Sequence, residues 1–305
     1  MKTVIGVDIG GTKIDFILMN EQGTILDNYR LATAPEEGED AVLNRIAQGI
    51  EHFLHSHTPA GIGIGCPGYV DSVQGIVRNA VNLHWTEVKL VDAVRQRLDS
   101  KLPIFLQNDV NAAALGELYF GAAQNDKDVI YAAVGTGLGG AAIVNGSIVN
   151  GADGFAMEIG HLVIRPHGRL CRCGLHGCAE MYASGQGLLA SVREYANEHP
   201  DTILNPDSST ADILAAAKAG DSLGLRVFQD AAAALGYLFG ICANFFNPRL
   251  IVIGGGLGMA AAEFLFEPAR QEMQRCTPAA SYQNLRLVPS QIERIAVGAA
   301  CLALG

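Results

Sequence analysis

Twice along this chain an apolar run breaks on a cluster of glycines and then resumes with the same character. The first run is Val4 to Leu18, with Gly10-Gly11-Thr12 at its break. The second is Val129 to Val144, broken at Gly135-Thr136-Gly137. Short apolar runs bounded by glycine turns read as strand, turn, strand, so two hairpins of one design predict two related halves. A third strand is expected near Thr24 to Leu31, and further strands at Gly61–Gly65, Ile104–Leu106 and Leu250–Ile253. Elsewhere the apolar period lengthens. Val42, Leu43, Ile46, Ile50, Phe53 and Leu54 share one face of a helix over Ala41 to His57, and Val88 to Leu98 is a second amphipathic stretch. Helices are also expected over Val110–Phe120, Ser184–Asn197, Thr210–Ala219, Ser222–Phe246, Ala260–Cys276 and Glu293–Leu304, with a polar loop at Asp201–Ser209.

Composition narrows the classes. At 305 residues, 49% hydrophobic and 17% charged, the chain can bury the core of one large or two ordinary domains. A net charge of −10 argues against a nucleic-acid or anionic-membrane surface. The opening apolar run is broken by Asp8 and does not form a signal peptide. Ala231 to Phe246, the most apolar helix candidate, has Asn244 inside it and ends at Asn247-Pro248, so it reads as a core helix rather than a membrane span. Seven cysteines, an odd count with three of them clustered, fit a reducing cytoplasm.

Candidate chemistry concentrates at four places. In the first hairpin, glycines let backbone N–H groups approach an anion, Thr12 and Lys13 add a hydroxyl and a cation, and Asp8 could hold Mg²⁺ through water. The plain alternative is an ordinary hairpin turn. The second hairpin contains Gly-x-Gly-x-x-Gly at Gly135, Gly137 and Gly140. A dinucleotide fingerprint must open a helix, whereas here strand-like residues run on into Asn145-Gly146, a hairpin signal. At Asn108-Asp109 a strand gives way to a helix, so Asp109 is either a helix cap or a catalytic base. Last, His161 precedes Cys171, Cys173 and Cys178, and three sulfurs with one imidazole compose a structural Zn²⁺ shell. The alternative is three reduced loop thiols. His176 competes as a ligand but sits where the loop must turn. His52, His55 and His57 read as a solvated helix end.

The run Glu158-Ile-Gly-His161, followed by Cys171-Arg-Cys173-Gly-Leu-His-Gly-Cys178-Ala-Glu180, resembles the signature of the ROK family of sugar kinases and sugar-responsive repressors. Asp8-Ile-Gly-Gly-Thr-Lys13 likewise resembles the first phosphate loop of the actin-like ATPase fold. The resemblance spans nearly the whole chain in family order. It departs where alanines follow Gly140, a place where a third glycine is common. It implies a two-domain actin-like (ribonuclease H-like) α/β fold. The smaller domain would cover residues 1–108 with the first phosphate hairpin, completed by a C-terminal helix at 291–305. The larger would cover 109–290 with the second hairpin and the zinc loop.

The resemblance also implies roles. His161, Cys171, Cys173 and Cys178 would bind structural Zn²⁺. Glu158, His161 and Glu180, with Asn82 and Asn108, would contact a hexose, and Glu180 is expected to touch the sugar alone. Asp109 would be the catalytic base. Asp8, Gly10, Gly11, Thr12, Lys13, Thr136 and Gly137 would serve ATP and Mg²⁺, while Gly254, Gly255 and Gly256 would lie against the adenosine. The implied reaction is ATP-dependent phosphorylation of a hexose, glucose to glucose 6-phosphate, with fructose, mannose and N-acetylhexosamines as alternatives, by a cytoplasmic homodimer. A sugar-sensing repressor of the family would carry a helix-turn-helix region ahead of the Asp8 loop, which the sequence does not show. A zinc-stabilised sugar-binding protein would need neither Asp109 nor Lys13.

Overall fold

The computed structural model describes residues 2–304, which form two compact units. The first unit takes in residues up to Asn125, then Ile148–Ala156, then the chain from Gln291 onward. Its main sheet is built from β1 (Thr3–Ile9), β2 (Lys13–Asn20), β3 (Ile25–Ala32), β4 (Ile62–Cys66) and, after three short strands, β8 (Ile104–Asn108), in the order β3-β2-β1-β4-β8. β1 to β3 are an antiparallel meander, while β4 and β8 run parallel to β1. The period of two shows in the packing. Ile5, Val7, Ile9, Ile14, Phe16 and Leu18 meet α1 (Glu39–Leu54), while Val4, Ile17 and Met19 meet the C-terminal helix Ile295–Cys301. With both faces covered, the strands read as unbroken apolar runs. α2 (Leu90–Arg97) adds Val91 and Val94 to the first face.

The C-terminal helix lies almost on the strand backbones. A Cβ on Gly6 would stand 2.0 Å from the Ala296 carbonyl oxygen, and one on Gly63 would stand 1.8 Å from that of Ala299. α3 (Asp109–Phe120) reaches the same helix at Gly116, whose added Cβ would lie 3.2 Å from Gly298 Cα. Charged latches hold the approach to this helix. Arg294 donates two hydrogen bonds to the buried Asp15, and Glu117 Oε1 accepts the backbone N–H groups of Gln291 and Ile292. This packing moves the first boundary. The sequence placed it at 108, but α3 packs on the C-terminal helix and so belongs to the first unit, which runs to Asn125.

The sequence also missed a small sheet of β5 (Tyr69–Asp71), β6 (Ile76–Ala80) and β7 (Trp85–Val88), paired in that order. Trp85 begins β7 with its side chain fully in the core. The second amphipathic helix therefore starts later than expected, at Leu90, because Val88 closes a strand.

The second unit covers Asp126–Ser147 and Met157–Ser290. β9 (Val129–Val134), β10 (Leu138–Val144), β11 (Ser147–Ile148), β12 (Leu250–Gly254) and β13 (Arg286–Pro289) form a sheet of order β11-β10-β9-β12-β13. Numbered from its own first strand, that is the order of the first sheet, so the two halves are related as the paired hairpins predicted. Asn145 and Gly146 both have positive φ, as the two-residue turn between β10 and β11 requires. α4 (Glu180–Ala183), α5 (Gly185–Tyr195), α6 (Thr210–Lys218) and α7 (Ser222–Phe246) follow β11 in the chain. α7 is long and apolar enough by composition to cross a membrane, but Val227, Phe228, Leu235, Leu238 and Phe239 are wholly buried, which makes it the core helix of this unit. After β12 come α8 (Gly256–Ala260) and α9 (Ala262–Cys276), two helices where one was expected.

Candidate functional site

In the first unit the candidate residues gather at the carboxyl ends of the parallel strands, where ligands of α/β sheets bind. The turn after β1 is closed by the Gly10 N–H donating to the Lys13 carbonyl at 2.9 Å. Thr33 braces it, its hydroxyl donating to the Gly10 carbonyl at 2.6 Å and its N–H to that of Thr12 at 3.0 Å. Thr12 and Lys13 remain exposed. Asn82 is also exposed, and its Cβ would lie 3.4 Å from a Cβ added to Gly11.

Asp8, next to the end of β1, lies opposite Gly65, which in turn lies opposite Gln107, two residues before Asp109. A Cβ on Gly65 would sit 3.7 Å from Asp109 Cα, which places the start of α3 against this strand end. Burial, then the neighbouring Asp109 and Asp15, push the Asp8 carboxyl up to about 7, against the opposing pull of Lys13. Burial also raises Asp109, outweighing the hydrogen bonds from the Val110 N–H, its own N–H and the Asn108 side chain. A carboxylate raised in this way is a better proton acceptor.

The structure gives the cap to the residue before Asp109. Asn108 is the N-cap of α3, its Oδ1 accepting from the N–H groups of Val110 at 2.9 Å and Asn111 at 3.2 Å, while its Nδ2 donates to the Gly68 carbonyl. Asp109 is then the first residue of the helix. Sequence reasoning missed the network behind this pair. Gln107 Oε1 accepts the Asn108 N–H at 2.8 Å and the Asn111 amide at 3.2 Å, and Gln107 Nε2 donates to Asn150 Oδ1 at 3.0 Å. Gln107 and Asn111 are buried, so these bonds fix the strand end that carries Asp109. No local pattern marks Asn150 as their partner.

In the second unit, the turn after β9 is held from outside its hairpin. Gly135 N–H donates to the Gly137 carbonyl within the turn. The Gly185 N–H donates to the Gly135 carbonyl at 2.8 Å, the Gln186 N–H to that of Thr136 at 3.3 Å, and the Leu138 N–H to Glu180 Oε2 at 3.0 Å. Glu180 therefore also holds the protein's own backbone, a contact the sequence reading did not include. Of the three glycines at the end of β12, Gly254 is packed under the Tyr131 hydroxyl and Gly255 has φ +82 with the Val134 carbonyl against it. Only Gly256 faces open space, as does Gly135.

The metal candidates converge. His161 Nδ1 lies 3.7 Å from Cys171 Sγ, Cys173 Sγ lies 3.6 Å from Cys178 Sγ, and all four donor atoms fall within 4.8 Å of one another. In a tetrahedral shell with Zn–S near 2.3 Å, ligand sulfurs stand about 3.7 Å apart, so the donor set and its spacing fit Zn²⁺. Gly174 and Gly177, both at positive φ, turn the loop back on itself. His176 bonds the Gly168 carbonyl through Nδ1 at 2.9 Å and lies outside the group. Among the described residues this is the one metal-competent cluster, and His52 instead stacks on Tyr29 at 4.4 Å.

Glu158 precedes and His161 ends a short 3-10 turn, Ile159–His161, pressed onto β10. A Cβ on Gly160 would lie 2.1 Å from the Leu138 carbonyl oxygen. The segment between His161 and Cys171 is pinned by residues the sequence did not single out. The Tyr182 ring is sandwiched between the guanidinium groups of Arg165 at 4.1 Å and Arg169 at 4.5 Å, and Asp230 of α7 pairs with both arginines.

The ROK family model matches residues 4–305. The chain is 35% identical to a glucokinase of Halalkalibacterium halodurans, over 88% of this chain and 84% of that protein. Among solved structures, a ROK family glucokinase from Streptomyces griseus in complex with glucose and AMPPNP superposes with a TM-score of 0.81 at 35% identity, covering 98% of each chain. A ROK family transcriptional regulator, homologous to the E. coli MLC protein, superposes with a TM-score of 0.88 at 28% identity, covering 99% of this chain and 77% of its own.

Proposed function

Because the chain belongs to the ROK family, we propose that it is an ATP-dependent hexose kinase that converts glucose to glucose 6-phosphate. Its paired sheets of matching order are those of the actin-like ATPase fold of the family's sugar kinases. Asp109 carries the reading. It is a carboxylate held at a strand end by a buried network, its pKa raised by burial, with the Asp8 carboxylate near enough to feel its charge. Sugar binding alone has no use for such a base.

In this mechanism Asp109 accepts the proton of the attacking hydroxyl as the γ-phosphoryl group transfers in line. A late, loose transition state makes that hydroxyl acidic, so a carboxylate suffices. Asn108, Glu158, His161 and Glu180, with Asn82, orient the ring. The turns at Gly10–Lys13 and Thr136–Gly137 receive phosphate groups, and Gly256 leaves room beside the adenosine. Asp8 is the carboxylate that would hold Mg²⁺, which when bound with ATP neutralises phosphate charge. Its raised pKa fits a site that awaits a cation. His161, Cys171, Cys173 and Cys178 would close a structural Zn²⁺ shell that fixes the loop carrying Glu158 and Glu180. Three thiolate ligands need a reducing compartment, which favours the cytoplasm.

An ADP-release assay over glucose, fructose, mannose and N-acetylhexosamines tests the reading. Turnover is expected to be greatest with glucose. Binding of a hexose without turnover would favour the second reading, a sugar-sensing protein, which the fold similarity to the regulator supports. We also infer a homodimer. Tyr237, Ile241 and Phe245 recur along one face of α7, Phe245 is 81% exposed, and a cavity of about 290 Å³ lies between this face and Met157–Leu162. Apolar surface of this kind suits a self-complementary contact. Phe245→Glu should yield monomers in sedimentation.

A further inference from the structure

We propose that Glu180 is a positioning residue for the second glycine turn, so that one carboxylate serves both the hexose and the nucleotide. This rests on the reading that residues 135–137 receive phosphate groups. The argument begins with the peptide plane. In a trans peptide the C=O of Gly137 and the N–H of Leu138 point in opposite directions. The Gly137 carbonyl accepts from Gly135 inside the hairpin, so the Leu138 N–H points outward, away from β9. Leu138 is buried, and Glu180 Oε2 at 3.0 Å is the acceptor that satisfies this donor.

The contact depends on residue 137 lacking a side chain, since a Cβ there would stand 2.6 Å from Oε2. It is also part of a larger brace. Glu180 follows Cys178 by two residues, and its carbonyl accepts the Ser184 hydroxyl at 2.7 Å. Gly185 and Gln186 then donate to the carbonyls of Gly135 and Thr136. A single run, 178–186, thus contains a metal-ligand candidate, a sugar-contact candidate and three contacts to the turn. Oε2 is committed to Leu138, which leaves Oε1 to meet a sugar hydroxyl. Whatever displaces the run displaces the turn.

The test is nucleotide binding in the absence of any hexose, measured by calorimetry with AMPPNP on metal-replete wild type, Glu180→Ala and Glu180→Gln, together with amide hydrogen exchange at residues 135–138. Glu180→Ala should weaken AMPPNP about tenfold and speed exchange at Leu138, as expected for a buried donor left without an acceptor. Glu180→Gln keeps an amide oxygen for Leu138 and should hold AMPPNP affinity within about twofold while the hexose KM still rises. Should Glu180→Ala misfold, Gly137→Ala, which forces the carboxylate off the turn, should reproduce the nucleotide defect. Wild-type affinity in Glu180→Ala or Gly137→Ala would overturn the inference. If AMPPNP leaves exchange at 135–138 unchanged in the wild type, the assignment of the turn fails, and the inference with it. A change there in the wild type, with no effect of the variants, sinks the inference alone.

Discussion

Asn108 caps α3, and Asp109 beside it is the carboxylate proposed as the base. A cap must spend its oxygen on backbone N–H groups, whereas a base must keep a lone pair for substrate. Asp109→Asn keeps the size and the helix start but removes basicity. We expect kcat to fall by about 100-fold or more, with both substrates still binding by calorimetry. Near-normal kcat would return Asp109 to a structural role. Since burial raises the Asp109 pKa, and the base works only when ionised, the acid limb of the kcat/KM profile should lie above the ordinary carboxylate range of about 4. The dipeptide marked this place in the sequence, because an acid where a strand meets a helix has few explanations. That Asn108 is the cap was not legible, since its setting depends on Asn150 and Gly68, which approach only in three dimensions.

At the scale of elements, the metal loop and the C-terminal helix make separate predictions. Cys173→Ser should lose bound Zn²⁺ in elemental analysis and lose hexose turnover with it, because the loop that carries Glu158 and Glu180 would lose its cross-link. Gly63→Ala should destabilise the protein by about 1–3 kcal/mol in urea unfolding, since its methyl would overlap the Ala299 carbonyl. Asp15 latches the approach to this helix. Its burial opposes ionisation, but hydrogen bonds from Arg294 and then Arg30 prevail and hold its pKa below the usual range. A depressed carboxylate pKa contributes stability above the unfolded value and loses it as pH falls through the folded one. Asp15→Asn should therefore lower Tm at pH 7, with the gap closing below about pH 4.

The hairpins and long helices were legible because their periodicity runs over many residues. β5, β6, β7 and β13 were not, because they are short and mix polar or proline residues into their apolar ones, unlike the run Leu250–Ile253. The close approach at Gly6 and Gly63 was not read, because nothing near these glycines names a partner at the far end of the chain.

For the molecule as a whole, sequence reasoning reached two related halves and the return of the last helix to the first of them. It missed that α3 travels with that helix, because the boundary is set by packing at Gly116 and Gly298 rather than by composition. That return has a consequence for synthesis. A ribosome produces β1 and β2 early and the helix Ile295–Cys301 last, so Val4, Ile17 and Met19 must wait for their cover while nearly the whole chain is made. Until then one face of the first sheet is sticky, and Asp15 lacks Arg294. A product halted a few dozen codons short would offer chaperones and proteases this uncovered face. Folding of the first unit is in this way tied to the arrival of the helix Ile295–Cys301.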